Sequence, residues 1–333
     1  MATYWQIAAG SSGRDYSSLF LKYGVAFVGG DSQIASIQEV KLGDFIALKQ
    51  GLSTIIAAGR IIEKDGKHCG CGDKEWLRDF DGWNLPTYCH VEWYKLNTPS
   101  ATTGLTRSTV QKIHQQHHKD IVNEIIEKGT KFDSVAEPAI TERIDDKTLL
   151  KFLIREGLRP ASANELKDTI EKIRLLAEYY YRECDWEDVR EHETRTFLVI
   201  PFLLALGWSE QQIKIELSCT GGRIDIACFK KNYNGKNNDC LILIETKGFH
   251  SGLDYAHSQA LAYSKDFPNC QAVIVTNGYC YKVYLRSLED NTFTTSPSAY
   301  LNILEPRDKY PIDPINVDGG LSAIKWLLPN SFL

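Results

Sequence analysis

Positive charge is the first thing this sequence lacks. Its 38 Lys and Arg are outnumbered by 43 Asp and Glu, for a net charge of −5. No stretch concentrates basic residues, so a nucleic acid would have to be held through local patches, because neutralising a phosphate backbone needs cations in number. Long hydrophobic runs are missing as well. The longest, Phe197 to Leu206, is interrupted by Pro201 and falls far short of a bilayer span, and Met1-Ala2-Thr3-Tyr4-Trp5 does not read as an export leader. A cytoplasmic protein with no membrane partner is expected. Nine cysteines, an odd number without an export signal, argue against a disulfide framework and for reduced thiols. No internal repeat is visible. What remains is an ordinary globular composition, 43% hydrophobic and 24% charged over 333 residues, long enough to favour two domains over one.

The first hundred residues read as short strands between Gly, Asp and Ser turns: Tyr4 to Ala9, Val25 to Val28, Phe45 to Lys49, Thr54 to Ile62 and His90 to Leu96. They predict a small curved sheet or barrel over 1–100. A helical connector is expected over 101–185. Its first helix, Ser108 to Lys128, carries Val110, Ile113, His117, Ile121 and Ile125 at helical spacing, and its last, Ser162 to Tyr181, carries Leu166, Ile170, Ile173 and Ala177. From Trp186 the order is helix (Glu187 to Leu206), three strands (Gln212 to Leu217, Arg223 to Phe229, Cys240 to Lys247), helix (Leu253 to Lys265) and two strands (Gln271 to Thr276, Cys280 to Arg286). Gly207 is placed to end the first helix in a left-handed cap, and Pro201 either kinks that helix or opens a second one. This predicts a mixed α/β domain over 186–290 with a βαβ unit inside it, followed by a tail over 291–333. The whole is a two-domain α/β (α+β) chain.

The sharpest chemical signal lies in two of those strands. Leu241-Ile242-Leu243-Ile244 runs directly into Glu245-Thr246-Lys247, and residues two apart on a strand share a face, so Glu245 and Lys247 sit together at the end of a buried strand while Thr246 points the other way. Charges there are costly unless paired, hydrated or bound to a metal. Asn234-Gly235 marks a hairpin between this strand and Gly222-Arg223-Ile224-Asp225-Ile226-Ala227. A two-residue turn would set Asp225 opposite Ile244 and on the wrong face; a three-residue loop or one bulge sets it across from Glu245. Two carboxylates meeting in this way suit Mg²⁺, with Mn²⁺ as a substitute, and Lys247 would position the attacking water or balance charge. The plain structural alternative is a salt-bridge cluster of Asp225, Glu245, Lys247 and Arg223.

With Glu193-Thr194-Arg195, Ile200-Pro201-Phe202-Leu203, Leu206-Gly207-Trp208, Gln259-Ala260-Leu261-Ala262-Tyr263 and Thr276-Asn277-Gly278 in order around them, these motifs resemble the PD-(D/E)XK nuclease superfamily, above all the nuclease domain that opens type I restriction R subunits. The resemblance runs from about Glu193 to Leu285. It implies a restriction-endonuclease-like mixed sheet flanked by helices, Asp225 and Glu245 as metal ligands, Lys247 serving the water and Glu193 as an accessory acid. Gln259 and Tyr263 would support the lysine or contact the nucleic acid. Ile224 stands where the superfamily's name has proline. The length leaves no room for a translocase motor, so a complete R subunit is not expected. From the residues alone, Glu193 also falls on a helical stripe with Phe197, Ile200 and Leu204, which would aim it at the core face; a helix-start acid favoured by the dipole is the alternative.

Tyr4-Trp5-Gln6-Ile7-Ala8-Ala9-Gly10, Val40-Lys41-Leu42-Gly43-Asp44-Phe45-Ile46-Ala47-Leu48-Lys49, Ile56-Ala57-Ala58-Gly59-Arg60-Ile61-Ile62 and Val91-Glu92-Trp93-Tyr94 resemble the PUA-like group that includes EVE domains. That resemblance implies RNA binding or a modified base held in an aromatic pocket. Trp5, Tyr16, Trp83 and Trp93, with Phe20 and Trp76, are the aromatics available for stacking. His68-Cys69-Gly70-Cys71 and Cys89-His90 lack a usual zinc spacing and read as turns with reduced cysteines. His114, His117 and His118 read as the solvated face of a polar helix. The expectation is a Mg²⁺-dependent DNA endonuclease of restriction or antiphage defence, directed to DNA with modified bases, and a homodimer would account for double-strand cleavage. An RNA substrate and a non-cutting nucleic-acid sensor are the alternatives.

Overall fold

Short, largely buried apolar runs between Gly and Asp turns produce the first sheet. The computed structural model describes all residues except 1, 11–13, 183–188, 221, 254–255, 288, 290 and 333, so the expected domain start at Trp186 and helix start at Glu187 lie outside the described residues. The chain divides into two units, Met1–Pro138 and Ala139–Leu333.

In the first unit the elements run β1 (Tyr4–Ala8), α1 (Ser17–Tyr23), β2 (Val25–Val28), α2 (Asp31–Gln38), β3 (Phe45–Gln50), β4 (Thr54–Ile61), β5 (Cys69–Cys71), β6 (Thr87–Lys95), β7 (Ser100–Ala101), β8 (Val110–Lys112), α3 (Gln116–Lys128) and β9 (Thr130–Lys131). The sheet order is β2-β6-β4-β3-β1-β8, curled into a half-barrel, with β5 and β9 on β6 and β7 on β4. The expected strands are all present. The expected boundary at residue 100 falls inside this unit: β8 pairs with β1, and α3 buries Val122 and Ile125 in a cluster with Ala47, Ile55 and Ala58. Burying two such aliphatic side chains is worth about 1.5–3 kcal/mol each, which is why this helix belongs to the sheet and not to a connector. The segment before it, expected as the same helix, is strand β8, because Val110 pairs with Ile7.

Two expectations are corrected here. Cys69 and Cys89, paired opposite each other on β5 and β6, form a disulfide with an S–S distance of 2.04 Å, where reduced thiols were expected. Strand pairing brings together what sequence spacing keeps twenty residues apart. His118 does not face solvent with His114 and His117; it is 3% exposed, with Nε2 2.9 Å from the Thr103 carbonyl oxygen, and burial lowers its pKa.

The second unit runs α4 (Asp146–Arg155), α5 (Pro160–Arg182), α6 (Glu191–Thr194), α7 (Ile200–Ala205), β10 (Ile213–Cys219), β11 (Gly222–Phe229), β12 (Cys240–Thr246), α8 (Ala256–Ser264), β13 (Ala272–Thr276), β14 (Cys280–Leu285), β15 (Ala299–Asn302) and α9 (Gly320–Leu327). Its six strands lie in chain order. The β12–β13 pair is parallel and crosses through α8, the expected βαβ unit; the other neighbours are antiparallel. Asp145 caps α4, accepting from the Thr148 amide at 2.7 Å. On α5 the buried positions Ala163, Leu166, Ile170, Ile173, Ala177 and Tyr180 recur every three or four residues and make the inward stripe. The tail is structured: β15 extends the sheet, α9 packs against β14 and β15, and Trp208 Nε1 donates to the Leu327 carbonyl at 2.7 Å.

Between α6 and α7 the helix continues through a π-helical segment, Arg195–Val199. Pro201, which has no N–H to donate, follows directly, and the widened turn absorbs that loss. Gly207 closes the helix at φ 102°, a conformation that favours glycine. The chain is thus mixed α/β with two sheets, and among the described residues no helix is long and apolar enough to cross a membrane.

Candidate functional site

The hairpin of β11 and β12 has the register the carboxylate pair requires. Ile226 pairs with Ile244, Ala227 with Leu243 and Cys228 with Ile242, but Phe229 pairs with Cys240. Leu241 is therefore the extra residue of a β-bulge, and the shift sets Asp225 across from Glu245. Glu245 is 1% exposed at the end of β12, and Lys247 Nζ donates to its Oε1 at 2.6 Å, as their shared face predicts. The same amine reaches Gln259 Oε1 at 3.3 Å, and Gln259 Nε2 donates to the Tyr263 hydroxyl at 3.2 Å. Helix α8 presents both residues one turn apart. Gly222 leaves room for this approach, since a Cβ there would stand 2.7 Å from the Tyr263 hydroxyl oxygen. Glu245, Lys247, Gln259 and Tyr263 are thus one hydrogen-bonded chain.

Asp225 is held differently. Its Oδ2 accepts from the Thr246 amide at 2.7 Å and the Thr246 hydroxyl at 2.8 Å. Its Oδ1 accepts from Arg195 Nη1 at 3.0 Å. Arg223, expected as the cationic partner, instead lies 3.7 Å from Glu216.

The accessory acid is also displaced. Glu193 Oε2 accepts from the Arg190 amide at 3.1 Å, an ordinary helix-start bond. Glu191 is the acid that feels the site: burial and the Asp225 charge push its carboxyl pKa up, with Lys247 opposing. The stripe that seemed to carry Glu193 inward is the outer one, with Phe197 52% and Leu204 38% exposed. Thr194, Arg195, Leu198 and Phe202 are buried instead. No local signal marks Thr194 and Arg195 as the inner face, since an arginine is ordinarily exposed unless a partner from elsewhere in the fold meets it.

Each carboxylate of the pair has one cation beside it, Lys247 on Glu245 and Arg195 on Asp225. Burial pushes Glu245 up to about 7, the Lys247 bond opposes this, and the charges of Asp225 and Glu191 add to it. Its second oxygen, Oε2, is buried and has no hydrogen-bond partner among the described residues. An orphaned carboxylate oxygen beside a second carboxylate is what a hard divalent cation satisfies. Among the described residues no three His, Cys, Asp or Glu stand together as a ready ligand cage. Mg²⁺ does not need one: it binds through one or two carboxylates, keeps several waters and takes substrate phosphate oxygens. The residues present fit such an ion.

The first unit carries its own cavity, of about 130 Å³, lined by Tyr16, Phe20, Phe27, Trp83, Arg14 and Gln33 among others. The Arg14 guanidinium lies over the Trp83 ring, 3.5 Å from its centroid. Of the expected base-contacting aromatics, Tyr16 and Trp83 line this cavity. Trp5 and Trp93 do not: they are 2% and 1% exposed, and their indole N–H groups donate to Asp44 Oδ2 at 3.0 Å and the Val25 carbonyl at 3.3 Å. They are core residues with satisfied polar ends. Trp76 packs among Tyr23, Phe27 and Phe80.

No protein-family model matches the chain, and none of the curated proteins matches it.

Proposed function

We propose that this chain is a divalent-cation-dependent endonuclease of the PD-(D/E)XK type that hydrolyses phosphodiester bonds in DNA, acting in the cytoplasm in restriction or antiphage defence. The observation that carries the reading is the bulge at Leu241, which costs the hairpin a regular ladder and sets Asp225 across from a buried, half-unpartnered Glu245. Asp225 and Glu245 would hold Mg²⁺ or Mn²⁺. When bound, the ion would acidify a water and neutralise charge developing on the phosphoryl oxygens. Lys247, fixed between Glu245 and Gln259, orients the attacking water and offsets negative charge at the same face. Gln259 and Tyr263 keep the amine in place, and Thr246 fixes the Asp225 carboxylate. Glu191 is the acid that accompanies the pair.

The first unit supplies target choice in this reading, as a PUA-like module. The cavity, of about 130 Å³ and lined by Trp83 and Tyr16, would admit part of a flipped base, the rest lying outside it. A base stacking on that face of Trp83 would take the place of the Arg14 guanidinium that lies over it.

One observation favours a second reading, a nucleic-acid sensor that does not cut: both oxygens of Asp225 are engaged within the protein. Incubating the full chain with plasmid and phage DNAs of different base modification, and with RNA, separates these readings. Strand breaks with Mg²⁺ or Mn²⁺ that vanish in EDTA and in Asp225→Asn support the nuclease. Binding without breaks supports the sensor. Equal cleavage of all DNAs removes base reading but leaves the nuclease.

A further inference from the structure

Arg195 is almost wholly buried, its side chain 6% exposed, and it spans two carboxylates with different nitrogens. Nη1 donates to Asp225 Oδ1 at 3.0 Å, and Nη2 to Glu216 Oε1 at 2.7 Å. Nη2 also meets His192 Nδ1 at 2.7 Å. The π-helical segment begins at this residue, where a widened turn redirects side chains.

Glu216 is unusual in its own right. It sits within β10 at φ 52°, a left-handed conformation that is costly for a residue with a side chain. The ladder pairs Ile215 with Ile226 and Leu217 with Ile224, so Glu216 stands across from Asp225 at the single interrupted step. On the edge strand its side chain is 41% exposed. Asp225 thus has a carboxylate neighbour on each side: Glu245 on β12 and Glu216 on β10.

We propose that Arg195 and Glu216 set the cation affinity of the site, Arg195 acting as the counter-ion of Asp225 while no metal is bound and Glu216 as the carboxylate that keeps the guanidinium when a metal arrives. This rests on the metal-site reading above. A cation on Asp225 and Glu245 competes with Arg195 for the same carboxylate, and two positive charges on one oxygen repel. A planar fork already bonded to Glu216 through a separate nitrogen gives up one arm and keeps the other. Glu216 and His192 lie near solvent, so the guanidinium would stay paired on that side. Thr246 keeps Asp225 in place meanwhile through Oδ2. Arg195 is a positioning residue in this scheme and touches no reacting atom.

The test is calorimetric titration of the full chain with Mn²⁺, without DNA. Arg195→Gln removes the competitor and is expected to tighten binding roughly tenfold, the scale of one ion-pair contact. Glu216→Gln leaves the guanidinium on Asp225 alone and is expected to weaken binding. The double variant is decisive: without Arg195 the Glu216 substitution should have almost no effect, whereas a plain field effect of two charges would be additive. Unchanged or weaker binding in Arg195→Gln, or equal losses from Glu216→Gln in both backgrounds, overturns the proposal. If the Arg195 variant does not fold, Glu216→Gln alone decides, since unchanged affinity there also overturns it. Binding abolished by Glu245→Gln but indifferent to Arg195 and Glu216 would sink this scheme and leave the metal site standing; no binding by the unaltered protein would sink both.

Discussion

Thr246 donates twice to the same oxygen of Asp225, from its amide at 2.7 Å and its hydroxyl at 2.8 Å. The pair ties β11 to β12 one step beyond the last paired residues, Ile226 and Ile244, and fixes the carboxylate without using Glu245. Thr246→Val keeps the amide bond and the shape but loses the hydroxyl. A net loss of about 1 kcal/mol in stability is expected, with Mn²⁺ affinity a few-fold weaker. Thermal unfolding and calorimetric titration measure the two separately.

The Glu245–Lys247–Gln259–Tyr263 chain makes a graded prediction. Lys247→Ala should cut single-turnover DNA cleavage by about 10²-fold or more, the scale for a group positioned on a proton-transfer step. Gln259→Ala, which only frees the amine, should cost less. Tyr263→Phe should cost least.

The buried Glu245 fixes the sign of a pH effect. Its folded pKa is near 7, against an ordinary 4.5, so the folded state holds a proton that the unfolded state has released. Stability from this group is full below about 4.5 and is lost as pH rises through 7. Glu245→Gln, which stays neutral, should unfold at a higher temperature than the unaltered protein at pH 8, by several degrees. The gap should shrink toward pH 4.5. Mn²⁺ affinity should rise over the same interval, because the cation needs the ionised carboxylate. A melting difference that does not change with pH would refute the assignment.

Two of the tryptophans of the first unit should behave differently. Trp93→Ala removes a ring that is 1% exposed and should destabilise by about 3–5 kcal/mol. Trp83→Ala opens the cavity wall and uncovers the Arg14 guanidinium, and should cost less stability than Trp93→Ala while abolishing discrimination between modified and plain DNA in a binding assay.

The strands and the βαβ crossover were legible because short apolar runs and the turn residues that bound them are local. So was the dependence of the site on one odd residue in the hairpin, since register is arithmetic; which residue is extra, Leu241, depends on packing and was not. Three features escaped for a common reason. The Cys69–Cys89 bond, the burial of His118 and the Arg195–Asp225 pair join residues that only strand pairing or helix docking brings together. The tail escaped because β15 and α9 are short and stabilised by the sheet they complete. Glu191 was missed in favour of Glu193 because nearly every position after Phe197 is apolar, leaving the helix phase undefined until Thr194 and Arg195 are seen to be inside.

The account stands or falls on whether a divalent cation sits between Asp225 and Glu245. Anomalous diffraction from crystals grown with Mn²⁺ tests this directly. The expected result is a single strong peak within about 2.5 Å of a carboxylate oxygen of each residue, accompanied by withdrawal of Arg195 Nη1 from Asp225. No peak there, with the Arg195–Asp225 contact intact at saturating Mn²⁺, would contradict it.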